Sequence, residues 1–239
     1  MSTFLGVPMG AAYHLVFGLV TVLSPLFGGL AAAAAIVLFT MAVRLFLAPL
    51  SYRAMKGMDS QAKMAPKVRE LRQRHSGQPE AFQSALAALY RAEGTSVFAG
   101  CLPLLVQWPF FSVMYLVFRS PVIGGIHNAL LGHELFGAPL GSYLLSGAGV
   151  FSIHGAVFAG LFLVLAGIAW MAARRTRALT ATAGGAAPAA LTRFIPYLTV
   201  VFAAFVPLAS GLYLATSTAW TLGEREVLRR LSQRRAALA

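Results

Sequence analysis

Apolar residues fall along this chain in long blocks, and the blocks are too long for the helices of a soluble core. Four stand out: Leu30 to Leu50, Val97 to Phe118, Val157 to Ala173, and Phe194 to Gly223, the last uncharged throughout and broken by Pro207. A helix needs roughly 20 apolar residues to cross a bilayer. The blocks therefore predict an all-α, polytopic membrane protein. An earlier apolar stretch, Gly10 to Leu26, is bracketed by Pro8, Pro25, Gly28 and Gly29. It reads as a helix lying in the outer interface, with a sixth span as the alternative.

Between the blocks the pattern changes period. Met55, Met58, Met64, Val68 and Leu71 recur at helical spacing before "HSGQPE", and Phe82, Leu86 and Leu89 do so after it. This predicts an antiparallel helical hairpin with its tip at Ser76 to Pro79. It reads either as a solvated basic hairpin meeting headgroups or as a working surface, since methionine stripes adapt to varied partners.

Composition agrees with the pattern: hydrophobic residues make up 58% and charged residues 11%, with a mean hydropathy of +0.73. The formal net charge is +12, and its placement orients the chain. Eight Lys and Arg lie between Arg53 and Arg91, four between Arg174 and Arg193, and five between Arg225 and Arg235. Ser120 to Ile153 carries none. Cytoplasmic loops collect Lys and Arg. Both flanks of Phe194 to Gly223 share one side only if that block crosses twice, turning near Pro207. The expected arrangement is five spans, N-out and C-in: 30–52, 97–118, 157–173, 194–206 and 208–223. Residues 1–29 form an external or interfacial amphipathic segment, 53–95 the cytoplasmic hairpin, 119–156 an external loop, 174–193 a cytoplasmic loop and 224–239 a basic cytoplasmic tail. The last two spans, at ~14 residues or ~21 Å each, are shorter than a ~30 Å hydrocarbon core. Local thinning follows.

The charge-free start lacks the basic n-region of a secretory signal, so Met1 is read as part of the working protein. The one cysteine, Cys101, excludes an internal disulfide and a thiolate metal cluster. No cofactor or metal site is expected.

Polar residues inside the blocks are the candidate chemistry. Arg44 lies ~9 Å from the cytoplasmic end of its span, where a charge is costly. Snorkelling to the interface is one solution. A water-filled pocket is the other, because none of the seven acids is assigned to a span. Thr40 shares the face of Arg44 one turn earlier. Gln107 sits between Pro103 and Pro109, and Ser210, Tyr213 and Ser217 follow an i, i+3, i+7 pattern with Thr216 adjacent. Each alone fits ordinary interhelical hydrogen bonding; together they predict a shared hydrophilic intramembrane groove. Phosphate-loop and G-x-S-x-G motifs are missing, and no histidine falls in any of the five spans. This argues against hydrolysis; the competing class is an anion-conducting transporter or channel, against which stands the lack of an internal repeat.

"FTMAVRLFLAPLS", "MAPKVRELRQRH", "ALYRAEG", "GCLPLLVQWPFF" and "FIPYLTVVFAAFVPLASGLY" resemble, in order and spacing, the YidC/Oxa membrane protein insertases, in the compact form without a large external domain. The resemblance implies a non-enzymatic insertase and chaperone in the bacterial plasma membrane, sufficient as a monomer. It implies nascent membrane proteins and the bilayer as partners, with the Sec translocon and the ribosome met through the basic loops and tail. It makes Arg44 the positive residue of the groove, Thr40 its hydroxyl and Gln107 a further polar lining. It makes the second and fifth spans the apolar slide for a client segment. The hairpin, with Arg53, Lys56, Lys63, Lys67, Arg69, Arg72 and Arg74, becomes the cytoplasmic contact surface. The chain departs from the family in having Ala215 and Thr216 where many bacterial members carry paired tyrosines.

Overall fold

A computed structural model describes residues 2–94, 102–144, 152–183 and 189–238. Seven α-helices account for most of them: α1 (Ser2–Phe27), α2 (Ala31–Arg74), α3 (Pro79–Ala92), α4 (Leu102–Arg119), α5 (Ile153–Ala183), α6 (Ala189–Ala203) and α7 (Leu208–Leu238). Two stretches among the described residues are long and apolar enough to cross a membrane. One is Gly6–Arg53, which runs through α1, a 3-10 turn at Gly28–Leu30 and the first half of α2; the other is Ile153–Arg175 in α5.

Helices run past the apolar blocks that suggested them. The 44 residues of α2 continue from the apolar stretch into the first hairpin arm, with Pro49 and Pro66 inside the helix. Pro8 and Pro25 likewise fall inside α1 and do not bracket it. Hydrophobicity reports where a helix meets apolar surroundings, whereas hydrogen bonding continues wherever residues such as Ala, Met, Lys, Arg and Gln favour it. For the same reason α5 continues past Arg175 and α7 carries the basic tail without a break.

The hairpin turn uses His75 to Gln78. Gln78 N donates to His75 O at 3.1 Å, and Gly77 adopts a φ of 88° that a β-carbon would oppose. α3 opens on Pro79 with Glu80 in its first turn and closes with Arg91 in its last, matching the helix dipole at both ends.

In the packed centre, Val16 and Val20 of α1, Ile36 of α2, and Met114, Val117 and Phe118 of α4 meet Phe158 and Leu165 of α5 and Leu208 of α7. α1 packs on α2 and α4, α5 on α6, and α7 reaches α2, α4 and α5. At Gly211 of α7 an added β-carbon would fall 2.6 Å from Leu161 Cδ2, so the Leu161 side chain of α5 packs directly over the glycine.

The segment after α4 folds into two tiny antiparallel ladders, Val122↔His127 with Ile123↔Ile126, and Glu134↔Pro139 with Leu135↔Ala138. Each turns through two residues of positive φ, Gly124-Gly125 and Phe136-Gly137, as two-residue hairpins demand. Buried Asn128 ties this cap to α4: its Nδ2 donates to Val117 O at 2.6 Å and Ser120 O at 2.9 Å, while Oδ1 accepts from Leu130 N at 3.1 Å. The cap also starts α7, because Leu208 N donates to Ser142 O at 2.9 Å and Ala209 N to Leu140 O at 3.0 Å. These are two of the N–H groups that a helix leaves unpaired at its first turn.

Candidate functional site: an arginine shared between α2 and α7

Arg44 leaves α2 one turn after Thr40 and crosses to α7. Its Nε donates to Ser217 Oγ at 3.0 Å and its Nη2 to Ser217 O at 3.2 Å; Nη2 also touches Ser217 Oγ. Ser217 is 1% exposed. The cation is partly buried, and its nearest partners are a hydroxyl and a carbonyl. No ion pair to Arg44 forms among the described residues.

Thr40, Val43, Leu47, Phe110 and Tyr213 complete the cleft around it. Thr40 Oγ1 donates to Ile36 O at 2.7 Å, so its donor is spent on its own helix. Tyr213 is buried at the wall of the cleft, with its ring centroid 6.2 Å from that of Phe111. The sequence separates Tyr213 from the aromatic positions expected after "SGL"; the structure nonetheless puts it beside Arg44. Ser217 thus gives Arg44 a protein partner that the spacing along the chain does not reveal.

The other candidates divide. Ser210 is fully buried, and its Oγ has no hydrogen-bond partner among the described residues. Thr216 Oγ1 donates to Leu212 O at 2.9 Å and does not line the cleft. The side chains of Gln107, Lys56 and Lys63 lie outside the described residues.

On the hairpin, Arg53 and Arg69 are exposed. Lys67 pairs with Glu93, Arg74 Nη2 meets Glu70 Oε1 at 2.5 Å, and the Arg72 guanidinium lies 5.7 Å from the Phe82 ring. Lys67 and Glu93 thereby bridge the two arms, while Met64 is buried. Exposed pairs of this kind contribute little stability each, ~0–1 kcal/mol.

Glu224, which interacts electrostatically with Arg44, was not among the sequence candidates. Burial raises its carboxyl above the usual range, while Arg44 and Arg225 pull it back down. Its position carried a signal, since Ser210, Ser217 and Glu224 recur every seven residues along α7 and so share a face. A helix boundary drawn at the first charge hid it.

Comparison with known proteins adds the family. Residues 22–235 match the family described as 60Kd inner membrane protein. The chain is 40% identical over 88 residues to the membrane protein insertase YidC of Helicobacter pylori, a match covering 37% of this chain and 16% of that protein. It is 39% identical over 88 residues to that of Wolinella succinogenes, with the same 37% and 16% coverage. With that of Granulibacter bethesdensis it shares 36% over 101 residues, or 39% of this chain and 18% of the relative. The matched part is thus less than a fifth of each relative's length. The helical framework, the apolar spans and the match over 22–235 together place this chain in the 60Kd inner membrane protein family.

Proposed function

We propose that the chain is a membrane protein insertase that draws the short hydrophilic tail of a client across the bilayer while the client's apolar segment moves into lipid. The supporting observation is Arg44, a partly buried cation between two helices whose hydrogen-bond partner, Ser217, is neutral.

A guanidinium offers five donors in a planar fork, and Ser217 engages one edge of it. A carboxylate on a client tail would make charge-assisted, bidentate bonds roughly twice as strong as neutral ones. The tail therefore displaces Ser217. This parts α2 from α7 locally and admits water along Thr40 and Tyr213, with Gln107 and Ser210 as further polar lining. The barrier to insertion is dehydration of the tail, and a positive site partway in lowers it where a reduced dielectric strengthens attraction. Burial of the client's apolar segment along the second and fifth spans, ~25 cal/mol per Å², drives the process without hydrolysis.

The topology in this reading is five spans, N-out and C-in, in a bacterial plasma membrane. The hairpin basic residues and the tail face the cytoplasm, where they meet the emerging client and, through it, the ribosome or the Sec translocon. α6, at 15 residues, extends ~22 Å, which favours a thinned bilayer beside the cleft.

The test is photo-crosslinking from position 43 to a single-spanning client arrested during insertion. A crosslink to its acidic tail that disappears when the tail is made neutral is the expected result. Equal crosslinking of acidic and neutral tails would refute the role of charge.

A further inference from the structure

A second cleft, of about 420 Å³, opens between α5 and α7 at the arginine-rich end of the α5 span. Its walls are apolar, with Ile168 and Met171 from α5 and Leu222 and Val227 from α7, and Arg175 and Arg230 stand at its mouth. Arg175 Nη1 donates to Leu222 O at 3.1 Å and lies 3.7 Å from Glu226 Oε2; Arg230 Nε donates to Glu226 Oε1 at 2.7 Å, and Arg229 Nη2 lies 3.3 Å from Glu226 Oε2. One carboxylate thus orients three guanidiniums and neutralises only one of them.

We propose that this cleft is a binding site for an anionic phospholipid, its phosphate held by Arg175 and Arg230 and an acyl chain lying along Ile168, Met171, Leu222 and Val227. Depth supports the assignment: the Arg174 guanidinium lies 3.9 Å from the Trp170 ring centroid one turn before the mouth, and tryptophan with arginine marks the headgroup level. Charge selects the headgroup. A zwitterionic lipid would bring an ammonium toward a cluster already in positive excess, whereas a phosphatidylglycerol headgroup brings none. Arg175 is held by a backbone carbonyl and Arg230 by Glu226, which lowers the cost of ordering them when the lipid arrives. This site is separate from the Arg44 cleft and does not depend on the insertase reading.

The full chain in detergent, titrated with phosphatidylglycerol or phosphatidylcholine and read by native mass spectrometry, tests it. One retained phosphatidylglycerol is expected, at several-fold higher occupancy than phosphatidylcholine. The double variant Arg175→Gln/Arg230→Gln should weaken phosphatidylglycerol retention by about fivefold per arginine and leave phosphatidylcholine unchanged. Arg230 is exposed, so Arg230→Gln alone reads the site even where loss of Arg175 disturbs helix packing. Gly223→Leu fills the cleft from α7, where an added β-carbon meets nothing within 4 Å, and should displace the lipid with every arginine intact. Retention untouched by Gly223→Leu would reduce the site to diffuse surface charge and overturn the proposal. Displacement of the lipid by inorganic phosphate alone would also overturn it, by assigning the arginines to free anions.

Discussion

Arg44 is tolerable in an apolar run because α7 brings Ser217 to it, and the same face of α7 carries Glu224 two turns on. These two charges sit in different balances. Glu224 is held above the usual carboxyl range chiefly by burial, against the pull of Arg44 and Arg225. A carboxyl whose folded pKa is raised favours folding in its neutral form. That contribution is full below the ordinary range and is lost as pH rises through the raised value. Glu224→Gln should therefore melt higher than the parent at neutral pH, with the gap closing as pH falls below the ordinary carboxyl range. Thermal melts of the two proteins against pH check this, and a lower melting point for Glu224→Gln at neutral pH would show that the arginines outweigh burial. At this scale Arg44, Thr40, Tyr213 and Ser217 were legible, because a polar side chain in an apolar block is conspicuous. The pairing of Arg44 with Ser217 was not, since it joins residues 173 positions apart.

Elements carry the next level of the account. The cap after α4 hangs on Asn128, whose loss would strand Val117 O and Leu130 N in a buried place and Ser120 O in a half-buried one. Unpaired buried groups cost ~1–3 kcal/mol each, so Asn128→Ala should destabilise by roughly 2 kcal/mol or more, seen as a melting point lower by several degrees. No change in melting would mean that the cap contributes nothing to holding α4 and α7. The hairpin gives a second prediction. Its turn is short and exposed, whereas its arms bury Met64 and hold the Lys67–Glu93 bridge. Deleting Ser76 to Pro79 should then impair client insertion less than breaking either arm with proline at Leu71 or Leu86; the reverse ranking places the working surface at the tip. The hairpin was readable because period and turn signals coincide at "HSGQPE". The unbroken course of α2 was not readable, because Pro49, Pro66 and the onset of charge all suggest boundaries that helical hydrogen bonding ignores. The small ladders after α4 escaped for another reason: two-residue strands are too short to show an alternation.

Across the whole molecule, α7 is the organising helix. It starts on the cap after α4, receives Arg44 along its course, and continues as the basic tail, where Glu226 gathers Arg175 of α5 with Arg229 and Arg230. A client that displaces Ser217 would therefore act on the helix to which the cap, the central cleft and the arginine cluster all attach. The mostly helical membrane class was legible at this scale from block length and composition; the two small β ladders were not. The packing order of the helices was not, because apolar faces seeking lipid and apolar faces seeking each other have the same composition. The central claim is that Arg44 works by its charge. Protease protection of a single-spanning client with a short acidic tail, in liposomes containing only this protein, tests it most directly. The account predicts protection above empty liposomes for the parent, much of it retained by Arg44→Lys and none by Arg44→Glu. Equal protection by Arg44→Lys and Arg44→Glu would contradict it.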